Sequence, residues 1–226
     1  MRVWQVDLRR SDEWIEDAET SVLGVGESER RGRESHRVWR RRVVARAMLR
    51  TALGLYLDRS PNSLAFVLGP GGKPRLASPV GCDDVFFNQT RSGDLCLIAI
   101  SGDGPVGVDV EEVRDVPELP SLVRSRFAVS EAAAILERSG EERLRAFYRC
   151  WTRKEATVKA AGVEIDPSLE SVVVSAGERP VLLSASGACA GEWSLRDLAL
   201  GDEFVGALAV HGAAEGQVDP PTHLCV

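Results

Sequence analysis

Between Leu144 and Gly162 the large apolar residues recur at helical spacing. Projected at about 100° per residue, Leu144, Phe147, Tyr148, Trp151 and Val158 fall within about 100° of one another, which predicts a helix with one face in a core. Glu155 lies near the middle of that stripe, one turn after Trp151. A carboxylate on a core-facing line needs a cation or donors to offset its desolvation. Lys154 and Lys159 flank it, and Glu155 precedes Lys159 in the favourable i, i+4 order. Two readings stay open: an amphipathic helix with an ordinary Glu–Lys pair, or a carboxylate turned towards a metal ion.

A second acid cluster lies in Gly107-Val108-Asp109-Val110-Glu111-Glu112. On a strand, Asp109 and Glu111 would share one face about 7 Å apart while Val108 and Val110 pack on the other. Alone, this pattern fits a solvated strand face. Joined by Glu155, it would form an all-oxygen site suited to Mg²⁺. Gly71-Gly72-Lys73-Pro74 offers a lysine on a turn, and Asn88 to Gly93 offers a hydroxyl (Thr90) and a guanidinium (Arg91) at a strand end. With Arg46 these would make the positive half of such a site.

The order of elements predicts an α+β protein of two similar halves. Val3 to Leu8 alternates as a strand, and a polar connection runs to about Gly26. A long helix follows from Glu29 to Leu57, with Val38, Ala45, Leu49, Leu53 and Tyr56 on its stripe and Arg42 and Arg46 within or beside it. Such arginines must snorkel out or meet an anion. Strand-like segments follow at Leu64 to Leu68, Val85 to Asn88, Leu95 to Ile100 and Val106 to Val110, separated by Gly-rich turns. Ser130 is expected to cap a short helix to about Arg138, and Ser139 to Glu142 is a capping-box pattern opening the helix that ends near Gly162. Strands are predicted again at Ser171 to Ser175, Val181 to Ser184, Glu192 to Leu198 and Phe204 to Val210. The halves would be residues 1–102 and 103–210, with a loose tail over 211–226.

Composition narrows the function by exclusion. A hydrophobic fraction of 44% and a charged fraction of 27% in 226 residues describe an ordinary globular chain. Five cysteines, odd in number and without C-x-x-C spacing, read as reduced cytosolic thiols. The amino terminus lacks a signal-peptide apolar region, and the apolar runs are too short to span a bilayer, so a cytoplasmic protein is expected. Nine arginines fall between Arg30 and Arg50 in a chain of net charge -6. That concentration is a solvated helix face or a local anion site, and nucleic acid is a poor candidate partner.

Together, Gly107-Val108-Asp109-Val110-Glu111 and Trp151 to Gly162, which reads W-x-x-K-E-A-x-x-K-x-x-G, resemble the 4′-phosphopantetheinyl transferases of the broad-specificity, surfactin-synthetase-activating type. Looser matches at Ala45 to Arg50, Gly72-Lys73-Pro74 and Phe87 to Ser92 extend the resemblance from about residue 40 to 175. It implies a monomer of two similar α+β half-domains related by a pseudo-twofold, with coenzyme A in the cleft between them. Asp109, Glu111 and Glu155 would hold Mg²⁺, Lys159 and Lys154 would neutralise phosphate oxygens, and Arg46, Lys73, Pro74, Thr90 and Arg91 would bind the adenosine and 3′-phosphate end. Transfer would run to a serine of an apo acyl or peptidyl carrier protein, giving holo-carrier and adenosine 3′,5′-bisphosphate, with Glu155 and Lys159 catalytic. The family usually has Ser-His-Ser where this chain has Thr90-Arg91-Ser92, and an arginine could contact the 3′-phosphate with a fixed charge. A catalytically silent coenzyme A or nucleotide-binding regulatory protein is the alternative, and a Mg²⁺-dependent phosphohydrolase is a third reading for which no separate motif is found.

Overall fold

A computed structural model describes residues 1–29, 34–69, 72–77, 85–164, 169–212 and 221–224. In chain order they form β1 (Arg2–Asp7), α1 (Asp12–Ser21), α2 (His36–Leu57), β2 (Phe66–Leu68), β3 (Pro74–Leu76), β4 (Phe86–Ser92), β5 (Leu95–Ser101), β6 (Val106–Glu112), α3 (Leu119–Arg126), α4 (Val129–Leu136), α5 (Gly140–Ala161), β7 (Val172–Val174), β8 (Leu182–Ala185), β9 (Trp193–Leu198), β10 (Phe204–His211) and β11 (Thr222–His223). The α+β reading holds: one sheet runs β11-β1-β5-β4, a second runs β6-β10-β9, and β2-β3 and β7-β8 are separate hairpins.

The two larger sheets are layered between two helices of 22 residues each, α2 and α5. Alternation along β5 explains the layering, because every residue from Leu95 to Ser101 is buried. Cys96, Ile98 and Ile100 pack with Val44, Met48 and Leu53 of α2. Leu95, Leu97 and Ala99 face the other way, onto Val106, Val108 and Val110 of β6 and Leu208 of β10. The far side of the second sheet packs on α5 through Ala207, Ala209, Ala146 and Val158. A strand buried on both faces loses its polar alternation, so β5 reads as a continuous apolar run.

Local chemistry moves several expected boundaries. Ser35 Oγ accepts from Val38 N–H, so α2 opens at His36 rather than Glu29, and Val38 stays 46% exposed while Ala45, Leu49 and Leu53 are buried. The stretch read as a polar connection contains α1, whose cap Ser11 accepts from Trp14 N–H and whose inner face is Ile15 and Ala18. At α4 the opening bond is Ala128 N–H to Glu131, not a Ser130 cap. Ser139 precedes α5 without a side-chain cap bond. The tail is held at its described end: Trp4 pairs with Thr222 in parallel, Leu224 N–H donates to the Gln5 carbonyl, and Leu224 is buried. Cys96, Cys150 and Cys189 are free and buried, and Cys82 and Cys225 lie outside the described residues. Among the described residues no helix is long and apolar enough to cross a membrane.

One glycine sets how closely α5 approaches β6. A Cβ on Gly107 would stand 2.0 Å from the Ala156 carbonyl oxygen and 2.4 Å from Ala160 N, both backbone atoms that cannot rotate away. Gly107→Ala should therefore lower stability by about 3 kcal/mol, the upper end for overpacking. Thermal unfolding would register that loss, and an unchanged midpoint would contradict this packing.

Candidate active site

β6 is an edge strand of its sheet, and its pairing with β10 sets which side chains face α5. Asp109 sits opposite Ala207 and Glu111 opposite Val205. Those β10 residues pack in the α5 core, so the two acids point towards the helix. From α5, Glu155 and Lys159 meet them one turn apart. Lys159 Nζ lies 2.5 Å from Asp109 Oδ1 and 3.0 Å from Glu155 Oε2. Two hydroxyls of β4 complete the group: Thr90 Oγ1 donates to Asp109 Oδ1 at 3.0 Å and Ser92 Oγ to Glu111 Oε2 at 2.8 Å. Asp109 is 1% exposed, and its Oδ2 is buried without a hydrogen-bond partner.

Burial dominates the electrostatics. It pushes the Asp109 carboxyl up, Lys159 pulls it back, and Glu155 and Glu111 push it up again, to about 7. Glu111 is also raised, chiefly by burial, against the Ser92 hydrogen bond. For Lys159 burial works downwards, but Asp109 and Glu155 outweigh it and hold the ammonium above its ordinary value. The pair is thus lopsided. Lys159 faces two carboxylates and keeps its charge, whereas Asp109 shares one ammonium with two like-charged neighbours.

Among the described residues no three His, Cys, Asp or Glu side chains stand close enough together to hold a metal ion, and the Lys159 ammonium occupies the space between Asp109 and Glu155. The donor set nevertheless fits a hard divalent cation. Three carboxylates feel one another's charge, and Asp109 Oδ2 has an unused lone pair where desolvation is costly.

Beside this cluster a cavity of about 440 Å³ lies between the β2-β3 hairpin and the carboxyl end of α5, lined by Lys73, Pro74, Phe86, Pro105, Ala160 and Gly162 among others. Lys73 Nζ donates to the carbonyls of Lys159 (2.6 Å) and Val106 (2.9 Å), and so ties the hairpin to α5 and β6. Burial lowers Lys73 to about 8.

The remaining expected residues are elsewhere. Lys154, expected beside Glu155, is 1% exposed and donates to Glu131 Oε2 at 2.8 Å and to the Val172 carbonyl at 2.5 Å, deep in the α5 core. Successive helix positions lie about 100° apart, so Lys154 cannot share the Glu155 line. Arg91 pairs with Cys96 on the α2 side of its sheet and is exposed, whereas Thr90 points to the opposite side. Arg46 is held by Glu27 at 2.6 Å and lies over the Phe66 ring at 4.0 Å. Arg42 pairs with Glu34. Thus Arg46, Lys73, Thr90 and Arg91 do not form one cluster: Lys73 and Pro74 line the cavity, Thr90 joins the acids, and the two arginines belong to the α2 side.

Sequence reasoning passed over Ser92 as a site residue, although hydroxyls at 90 and 92 match the two-residue spacing of the acids at 109 and 111. Glu131, the partner of Lys154, carried no signal. Nothing in the sequence marks a pair 23 residues apart.

A layered α+β fold with carboxylates and a lysine where β4, β6 and α5 meet, and a lined cavity between the β2-β3 hairpin and the end of α5, is one that can hold a phosphate-bearing ligand. The family model described as the 4′-phosphopantetheinyl transferase superfamily matches residues 105–209, which contain β6, α5 and all three acids. The 4′-phosphopantetheinyl transferase HetI of Nostoc sp. is 30% identical over 213 residues, covering 94% of this chain and 88% of that protein. The putative 4′-phosphopantetheinyl transferase slr0495 of Synechocystis sp. is 36% identical over 131 residues, covering 58% of this chain and 53% of that protein. The 4′-phosphopantetheinyl transferase AcpT of Salmonella typhimurium is 35% identical over 113 residues, 47% of this chain and 57% of that protein. The chain belongs to the 4′-phosphopantetheinyl transferase superfamily.

Proposed function

We propose that this chain transfers the 4′-phosphopantetheine group of coenzyme A to a serine of an apo acyl or peptidyl carrier protein, leaving adenosine 3′,5′-bisphosphate, as a cytoplasmic monomer of the broad-specificity type with half-domains at 1–102 and 103–210. The observation that carries the reading is the buried acid group on Lys159, with Asp109 Oδ2 unpartnered, beside a cavity that Lys73 and Pro74 line. No observation favours a silent binding protein.

Asp109, Glu111 and Glu155 would hold Mg²⁺, which would neutralise negative charge on the pyrophosphate of coenzyme A. Lys159 supplies a positive charge that its carboxylate neighbours keep fixed, and it contacts a phosphate oxygen. Lys73 has three N–H donors and uses two on backbone carbonyls, so a third remains for an anion in the cavity. In the transfer, the serine Oγ forms a bond to the β-phosphorus as the bond to the bridging oxygen of adenosine bisphosphate breaks. The serine proton passes to the Glu155 carboxylate, which stands on α5 with its side chain 13% exposed. Positioning of the two reactants supplies much of the remaining acceleration.

Incubation with coenzyme A, Mg²⁺ and several apo-carriers should add about 340 Da to the carrier, one phosphopantetheine group. No gain on any carrier would sink the reading. Glu155→Gln should lower turnover by about 10²-fold or more at saturating Mg²⁺. Turnover retained under those conditions would remove Glu155 as the base.

A further inference from the structure

The strand that carries Asp109 and Glu111 has an outer edge that must be satisfied without a backbone ladder, because β6 and β4 belong to different sheets. Two β4 side chains do this. Asn88 Oδ1 accepts from Val108 N–H at 2.8 Å, and Ser92 Oγ accepts from Glu112 N–H at 3.0 Å. The same Ser92 oxygen lies 2.8 Å from Glu111 Oε2. A hydroxyl has one proton and two lone pairs, and an amide N–H can only donate. With Glu112 N–H occupying a lone pair, the single Ser92 proton is committed to Glu111.

From this geometry we infer that Ser92 is a positioning residue for Glu111: it reaches from the N-terminal half, fixes one carboxylate oxygen, and so sets the geometry with which the acids receive a divalent cation. The assignment rests on the proposed metal role of Asp109, Glu111 and Glu155. Asn88 is the internal comparison, since it bridges the same seam through Val108 N–H and, among the described residues, makes no hydrogen bond to an acid side chain. Groups that orient metal ligands typically affect metal affinity by about 10- to 100-fold.

The test uses Mn²⁺ as the probe, titrated into the purified full chain and displaced by Mg²⁺, together with thermal unfolding and the Mg²⁺ dependence of transfer. Ser92→Ala should weaken Mn²⁺ binding about 10-fold and raise the Mg²⁺ concentration for half-maximal transfer by a similar factor. Ser92→Thr, which keeps the hydroxyl, should restore both. Asn88→Ala should lower the unfolding midpoint while leaving Mn²⁺ affinity at the wild-type value. Should Ser92→Ala fail to fold, Ser92→Cys keeps the volume with a weak donor and should show the same loss of affinity. Wild-type Mn²⁺ affinity in the folded Ala or Cys variant, or an equal loss in Asn88→Ala, would overturn the role of Ser92 alone. Absence of Mn²⁺ binding by the unaltered chain would overturn the metal assignment of the three acids, and this inference with it.

Discussion

Asp109→Asn is expected to lower phosphopantetheine transfer about 10³-fold while making the protein more stable at pH 8. The activity loss follows from removing a charge that pairs with Lys159 and that is proposed to receive the cation, at the scale of losing one preorganised electrostatic contact. The stability gain follows from the raised carboxyl, whose folded value of about 7 lies well above its ordinary 3.8. An acid held up on folding binds its proton more tightly in the folded than in the unfolded chain. Its contribution is therefore fully present below about pH 4 and is lost as the pH rises to 7 and beyond. A neutral asparagine avoids that loss, and Lys159, which loses the Asp109 contact, keeps Glu155 as a charged partner at 3.0 Å. The variant's advantage should open between pH 4 and 7 and reach the order of 1 kcal/mol, a few degrees in the unfolding midpoint. Added Mg²⁺ should stabilise the wild type more than the variant. A variant less stable than wild type at pH 8 would contradict this account of the buried charge.

Lys154→Met should produce the opposite profile, a large stability loss with turnover per folded molecule close to wild type. Glu131 is 2% exposed, and Lys154 is its charged partner. Glu131 also accepts from Ala128 and Val174 N–H, which joins α4 and β7 to α5. Removing one member of a buried pair leaves an uncompensated charge and costs about 3–5 kcal/mol. For a chain of this size that corresponds to roughly 10 °C in the unfolding midpoint. Adding Glu131→Gln should recover part of the loss, because the uncompensated charge disappears, while the single amide oxygen that remains can accept from only one of the Ala128 and Val174 N–H groups. Turnover measured well below the unfolding midpoint discriminates the roles of Lys154. A fall of 100-fold in kcat with an unchanged midpoint would return Lys154 to the phosphate site.

Local periodicity made the acid group readable. Asp109 and Glu111 share a face because strands alternate, and Glu155 and Lys159 share a line because a helix turns in 3.6 residues. The same rules failed where an element was misjudged. The strand pattern from Val85 stops at Asn88 in the sequence, which puts Thr90 and Arg91 at a strand end, free to face one ligand. β4 runs to Ser92, so alternation sends Thr90 to Asp109 and Arg91 to the α2 side. α1 was missed because only Ile15 and Ala18 of its ten residues are buried, too few to show a stripe.

By itself the sequence determined the order of the strands and of α4 and α5 in the second half, though not α3, and the shared face of the acids on β6. All of these follow from φ/ψ geometry acting over a few residues. Only the tertiary structure decided which groups at long separation became partners. It placed Lys159 between Asp109 and Glu155, gave Lys154 to Glu131, returned Thr222 to the edge of β1, and turned Ser92 onto Glu111. Those pairings follow from where two sheets and two helices pack, and from the need of each buried polar group to find a partner in that packing.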